Sequence, residues 1–399
     1  MKRWCVFCTN ERERKRERHT HVFCSFSQRL EAFRNMYASC SAARINITSS
    51  SSSPSAVAFT RTFNKSNKAP SPLKQKRTIQ TLSTSTTKTT RASSTSDKMS
   101  SSQTTKTIGF LGAGIMAVPM ALNLLNNGKH NLIVWNRTAS ACDPLVKAGA
   151  TLAKTAQEVC EKADVTYVMV STPEATLEVA NLAKDGISDN KGYVDCSTVD
   201  RHTAKKVSDI ITSKGGRYLE GPVSGSKAPA ENGQLIFLCA GSESLFKEIN
   251  ADDANQLNKM GKASFFLGEE VGAGANMKLI VNSCMGSIMA SFAESIALCE
   301  DANLSKQDLL DVLSLGAINV PMFGMKGPGM IASDKSTKFA PAFPLKHQQK
   351  DMRLAVQLAD ELGRELPVAA TANEMYKRAR RDGHDDEDFA AVLHAVRRE

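Results

Sequence analysis

The body of this chain has no surplus of positive charge to offer a nucleic acid. Residues 1–105 carry 19 Lys and Arg against 5 Asp and Glu, whereas residues 106–399 carry 32 against 36. The basic balance of the whole chain, +10, therefore belongs to its N-terminal segment, and the electrostatic footprint of nucleic-acid binding is missing from the rest. That segment in turn lacks an apolar core of signal-peptide length, which argues against secretory export. Zinc spacing is lacking too. The body cysteines Cys142, Cys160, Cys196, Cys239, Cys284 and Cys299 are widely spaced, and Cys5-Val-Phe-Cys8 has no second pair at zinc-site spacing. Such thiols read as reduced and structural. No internal repeat is evident.

What the N-terminal segment does contain is Ser, Thr and Arg, the run Ser49–Ser53, and few acids after Glu31. So polar a stretch cannot bury enough surface to fold alone, and residues 1–105 read as a disordered leader. Its composition fits an organellar transit peptide, for mitochondrion or plastid, although the mixed-charge cluster Glu11–Arg18 fits poorly. If translation begins at Met99, the protein is expected in the cytosol.

From Thr107 the pattern changes to short apolar runs alternating with helical periodicity. Strands are expected at Thr107–Leu111, Leu132–Trp135, Val165–Val170, Tyr193–Cys196, Arg217–Leu219 and Leu235–Ala240. Helices are expected at Ala139–Ala148, Glu174–Leu182 and Arg201–Ser213. This alternation predicts a doubly wound, mostly parallel α/β sheet over 106–270. Strand signals then vanish. Ala275–Cys299, Lys306–Ser314, Gln348–Leu362, Pro367–Arg381 and Glu387–Val396 predict an all-α domain over 271–399.

Gly112-Ala-Gly114-Ile115-Met116-Ala117 lies between the first strand and the first helix. A glycine-rich turn there lets backbone amides approach a pyrophosphate, and the third position needs only a small residue. With Gly109, these residues form the expected cofactor contact. The second strand ends in Asn136-Arg137-Thr138, where an NAD site usually carries an acid. An amide, a guanidinium and a hydroxyl suit a 2′-phosphate instead, so the reading is NADP(H).

The run Gly272–Asn282 places Lys278 and Asn282 at i and i+4 on one helix face. From Leu279 to Cys299 the only charge is Glu294, which predicts a largely buried helix. The stretch is long enough for a membrane span, but Asn282, Glu294 and its serines make it too polar for lipid.

Together, the fingerprint at Gly109–Ala117, Asp195-Cys-Ser-Thr198, Gly221-Pro-Val-Ser224-Gly225-Ser226, the Lys278/Asn282 helix and Phe343-Pro-Leu-Lys-His-Gln-Gln-Lys350-Asp351 resemble the β-hydroxyacid dehydrogenase family. The likeness extends over about residues 107–398, and the longer motifs are most similar to plant-type glyoxylate/succinic semialdehyde reductases. It implies a Rossmann-type domain followed by a helical one, and NADPH-dependent reduction of a small carboxylated aldehyde. It also implies Lys278 as the catalytic lysine and Asn282 as its assistant at the substrate. Ser224, Gly225 and Ser226 would offer donors to the substrate carboxylate, Thr198 and Lys350 would lie against the cofactor, and Phe343 and Asp351 would shape the pocket.

The family usually has glycine at Ala117, and Ala251–Asn258 reads as a surface-loop insertion. His347 reads as a surface helix residue, since lysine already fills the acid/base role. The alternatives are a 3-hydroxyisobutyrate dehydrogenase and a catalytically silent binding member like the nucleosome-associated relatives. The expected partner is a small aldehyde or hydroxy acid, with no membrane and no resident metal. The helical domain is the candidate surface for a homo-oligomer.

Overall fold

The computed structural model describes residues 106–127, 130–251 and 255–397. The leader, and with it the transit-peptide reading, lies outside the described residues, as do residues 252–254; the rest of the expected 251–258 surface loop is partly helical, with Gln256 and Leu257 buried.

Thr107–Leu111 (β1) is buried from its second residue onward and ends at the glycine-rich turn. Ala117–Asn127 (α1) follows, then Asn131–Trp135 (β2), Asp143–Lys147 (α2), Thr151–Leu152 (β3), Ala156–Lys162 (α3), Val165–Val168 (β4) and Pro173–Ala183 (α4). Gly192–Asp195 (β5), Arg201–Thr212 (α5), Arg217–Glu220 (β6) and Val223–Ser224 (β7) come next. Lys227–Glu231 (α6), Leu235–Gly241 (β8), Glu243–Ile249 (α7), Gln256–Met260 (α8) and Gly261–Phe266 (β9) complete the first domain. The sheet order is β3-β2-β1-β4-β5-β6-β8-β7, with β9 beside β8. β1 to β6 pair in parallel, as crossover helices require, and β8 turns antiparallel against β6 and β7. Phe110, Tyr167, Leu219 and Phe237 fill one core, while Leu111, Ile133, Tyr193 and Ile211 fill another.

The second domain is helical: Ala273–Asp301 (α9), Lys306–Leu315 (α10), Pro321–Ala332 (α11), Leu345–Glu361 (α12), Pro367–Arg381 (α13) and Val392–Val396 (α14). Met289, Phe292, Ile296, Tyr376 and Leu393 form its core. Gly286 lets α12 approach α9. A Cβ there would meet Gln348 Nε2 at 2.2 Å and Met352 Sδ at 2.6 Å.

Several expectations shift. The helix foreseen at 139–148 begins as a 3₁₀ turn, Ala139–Cys142, and restarts as α2, whose second residue is Pro144, a residue with no N–H. α11 escaped prediction because Gly324, Gly327, Pro328 and Gly329 mask its periodicity. Gly327 packs there against the end of the Leu310 side chain, 2.7 Å from where a Cβ would sit. α9 is long and apolar enough to cross a membrane, yet only 50% of that window is buried. Ile280 and Leu298 are 55% and 68% exposed, so the helix is buried less extensively than expected. Composition fixes how apolar a helix is, not how many of its faces are covered.

Candidate active site

The loops leaving the C-terminal ends of β1, β4 and β5 converge, as open α/β sheets dictate. Gly112 has φ +106°, and a Cβ there would lie 2.3 Å from Met169 O. A Cβ on Gly114 would meet nothing within 4 Å, so space remains above the turn for a pyrophosphate. Ala117 is fully buried and begins α1. Asn136 holds the turn from β2: its Oδ1 accepts from Ala113 N at 3.2 Å and its Nδ2 donates to Thr138 O at 2.9 Å. Ser197 ties the neighbouring loops, its Oγ accepting from Val170 N at 3.1 Å, while Asp195 Oδ1 accepts from Ser197 N at 3.0 Å. Burial pushes the Asp195 carboxyl up to about 6 against that bond.

From the other side, α12 presents His347, Lys350 and Asp351 at i, i+3 and i+4. One cavity is lined by Gly114, Ile115, Met116, Thr198, Phe343, His347, Lys350 and Asp351, so seven expected site residues share it. His347 corrects the surface assignment. It faces this cavity, and burial, with Lys350 adding, lowers its imidazole to about 4. The polar face of α12 is turned into the cleft, which a polar sequence alone cannot distinguish from solvent.

Lys278 and Asn282 join this group through hydrogen bonds. Lys278 Nζ donates to Asn282 Oδ1 at 3.0 Å, and Asn282 Nδ2 donates to Asp351 Oδ2 at 2.6 Å. Asp351 Oδ1 lies 3.0 Å from Lys350 Nζ, which in turn donates to Thr198 O. Gln348 Nε2 fixes the backbone at Asn282 O, 3.0 Å away. The result is a buried relay running from Lys278 on α9 to the nucleotide-side loop. Burial lowers Lys278 to about 8, with Lys350 also lowering it and Asp351 opposing. It is therefore an ammonium at neutral pH, close enough to titration to exchange its proton.

Ser224 and Ser226 are half-buried, and Gly225 between them has φ +134°. A Cβ at Gly225 would meet Leu235 Cδ2 at 2.7 Å. Lys227 N donates to Ala342 O at 3.4 Å, which brings this turn beside Phe343. Two expected cofactor residues stand apart. Gly109 lies inside β1, where a Cβ would meet Val159 Cγ1 at 2.6 Å and Thr166 Oγ1 at 2.7 Å, so it serves packing. Arg137 is exposed at the end of β2, 3.6 Å from Glu178, also exposed.

Elsewhere, His384, Glu387 and His394 cluster closely enough to raise the question of a metal. The two rings stack at 4.4 Å and 16°, and their nitrogens have partners within the protein: His384 Nδ1 lies 2.8 Å from Glu387 Oε1 and His394 Nε2 lies 3.0 Å from Thr337 O.

Both domains resemble known proteins. Residues 107–268 match the NAD binding domain of 6-phosphogluconate dehydrogenase, and residues 272–396 match the NAD-binding domain of NADP-dependent 3-hydroxyisobutyrate dehydrogenase. Glyoxylate/succinic semialdehyde reductase 1 of Arabidopsis thaliana is 52% identical over 295 residues, which are 73% of this chain and 98% of that protein. The chain belongs to the β-hydroxyacid dehydrogenase family. As a member it is an NAD(P)-dependent oxidoreductase. Glyoxylate/succinic semialdehyde reductase 2, chloroplastic, of A. thaliana is also 52% identical, over 73% of this chain and 80% of its own. Among solved structures, Mycobacterium tuberculosis 3-hydroxyisobutyrate dehydrogenase with L-serine superposes with a TM-score of 0.65 at 26% identity, covering 74% of this chain and all of that one. The family's two-domain arrangement is the one observed.

Proposed function

We propose that this family member reduces small carboxylated aldehydes with NADPH, glyoxylate to glycolate and succinic semialdehyde to 4-hydroxybutyrate. The observation that carries the reading is Lys278, buried, lowered to about 8, and linked through Asn282 and Asp351 to a cleft under the glycine-rich turn. When bound, NADPH supplies the hydride to the aldehyde carbon. As the carbonyl π pair moves onto oxygen, Lys278 Nζ stabilises the developing alkoxide and gives it a proton. Asn282 and Asp351 hold that ammonium in place, and solvent restores its proton. Backbone amides at Gly114–Met116 meet the pyrophosphate, with Thr198 and Lys350 alongside. Ser224, Gly225 and Ser226 offer donors to the substrate carboxylate, and Phe343 closes the apolar side.

Arg137, exposed at the end of β2, binds the 2′-phosphate. Asn136 acts mainly through the turn, because its amide is already engaged. Exposed Leu298, Val312, Leu315 and Met325 support self-association through the helical domain. The leader directs the protein to a plastid or mitochondrion, a reading supported by its composition and by a relative named as chloroplastic.

The test is a panel of aldehydes and 3-hydroxy acids assayed with NADPH and NADH. Wild type should favour NADPH with glyoxylate or succinic semialdehyde, and Arg137→Asp should erode or invert the cofactor preference. Equal kcat/KM for both cofactors would overturn the NADP assignment. Turnover of 3-hydroxyisobutyrate alone would overturn the substrate class.

A further inference from the structure

Glu220 ends β6 and is almost completely buried, at 2% exposure. Its Oε1 accepts from Gly272 N at 2.6 Å and Gly274 N at 2.9 Å, and its Oε2 accepts from Ala275 N at 3.0 Å. Three otherwise unpaired amides at the start of α9 are thus satisfied by one carboxylate from the other domain. Burial pushes this carboxyl up to about 7, while the three amides pull the other way. The backbone is shaped to receive it. Gly272 has φ +108°, and a Cβ at Gly274 would lie 2.5 Å from Leu238 O and 3.1 Å from Glu220 Cδ. Ala275, the last of these donors, lies three residues before Lys278, which is less than one helical turn.

We infer that Glu220 is a positioning residue, which fixes the height and rotation of α9 against the nucleotide-binding sheet and thereby sets where Lys278 Nζ stands over the cleft. This rests on Lys278 as the proton donor. Glu220 itself touches neither substrate nor cofactor. Because reactivity depends steeply on placement, a displacement of about 1 Å at Lys278 is worth up to about a hundredfold in turnover.

The experiment compares Glu220→Gln and Gly274→Ala in the full chain, alone and combined with Lys278→Ala. Glu220→Gln replaces one acceptor by an NH₂ group that faces an amide donor. Gly274→Ala leaves the carboxylate intact but forces the helix start away from it. Each single variant is expected to lower kcat at least about tenfold, with NADPH affinity within about twofold of wild type. In the Lys278→Ala background the same changes should have almost no further effect, because the placement they disturb no longer matters.

Retention of wild-type kcat in either folded variant would overturn the inference. Losses that multiply with that of Lys278→Ala would do so too, since a merely structural defect acts independently of the lysine. Should Glu220→Gln not fold, Gly274→Ala decides by the same cycle, and Glu220→Asp, charged but one methylene shorter, decides if neither folds. If Lys278→Ala alone leaves turnover intact, the proton-donor assignment has failed rather than the Glu220 contact, and the two failures are told apart.

Discussion

A buried ammonium gives up its proton more readily than one in water, and Lys278 is held in that condition by its surroundings. With Lys278 lowered to about 8, the protonated form needed for reduction prevails below that pH and is lost above it. The rate of aldehyde reduction, measured as kcat/KM, should therefore fall as pH rises through about 8. Lys278→Ala should abolish that inflection and lower kcat at least ~10²-fold, with NADPH affinity nearly unchanged. A variant keeping more than about a tenth of wild-type kcat would remove Lys278 from the chemistry. Lys278 and Asn282 were legible in the sequence because i, i+4 spacing on an apolar helix is a local signal. Glu220 was not, because its partners lie more than fifty residues downstream and nothing local marks a strand-end glutamate as a helix cap. His347 was misread for a related reason, since polarity does not say whether a helix face meets water or a cleft.

At the scale of elements, the β1 turn is the least tolerant segment of the site. Gly112 combines a positive φ with a Cβ position 2.3 Å from Met169 O, so any side chain must displace the loop after β4. Gly112→Ala should destabilise the fold by more than about 1 kcal/mol and weaken NADPH binding about tenfold or more, read by thermal melting and by titration of cofactor fluorescence. Wild-type affinity in that variant would show that the turn does not cradle the cofactor. The parallel strands β1, β2, β4 and β5 were readable, because their apolar runs are short and separated by helical periodicity. β3 and β7 have two residues each, too few for any pattern, and β9 was hidden by its place beside β8 in a region of mixed polarity. The helix α11 teaches the converse lesson. Its glycines read as breakers, yet Gly327 lies buried against Leu310, a tertiary contact that overrides propensity.

For the whole molecule, the first described strand begins at Thr107, and the described members of both domain cores all follow it. A chain starting at Met99 should fold, bind NADPH and reduce aldehyde as the full chain does, yet remain cytosolic when tagged in cells. Residues 1–98 fused to a fluorescent protein should carry it to a plastid or mitochondrion. A diffuse cytosolic signal would end the targeting reading, and loss of activity on truncation would make the leader part of the fold. The relay from Thr198 through Lys350, Asp351 and Asn282 to Lys278 draws its members from both domains, one carbonyl from the first and four side chains from the second. Together with the hold of Glu220 on the start of α9, its thermal consequence is that neither domain can melt without stripping partners from a buried charge of the other. Calorimetry on the Met99 chain should show one heat-absorption peak rather than two. Saturating cofactor at a hundred times its Kd should move that single peak upward as a unit, adding about 2.7 kcal/mol to both domains at once, although it touches mainly one of them.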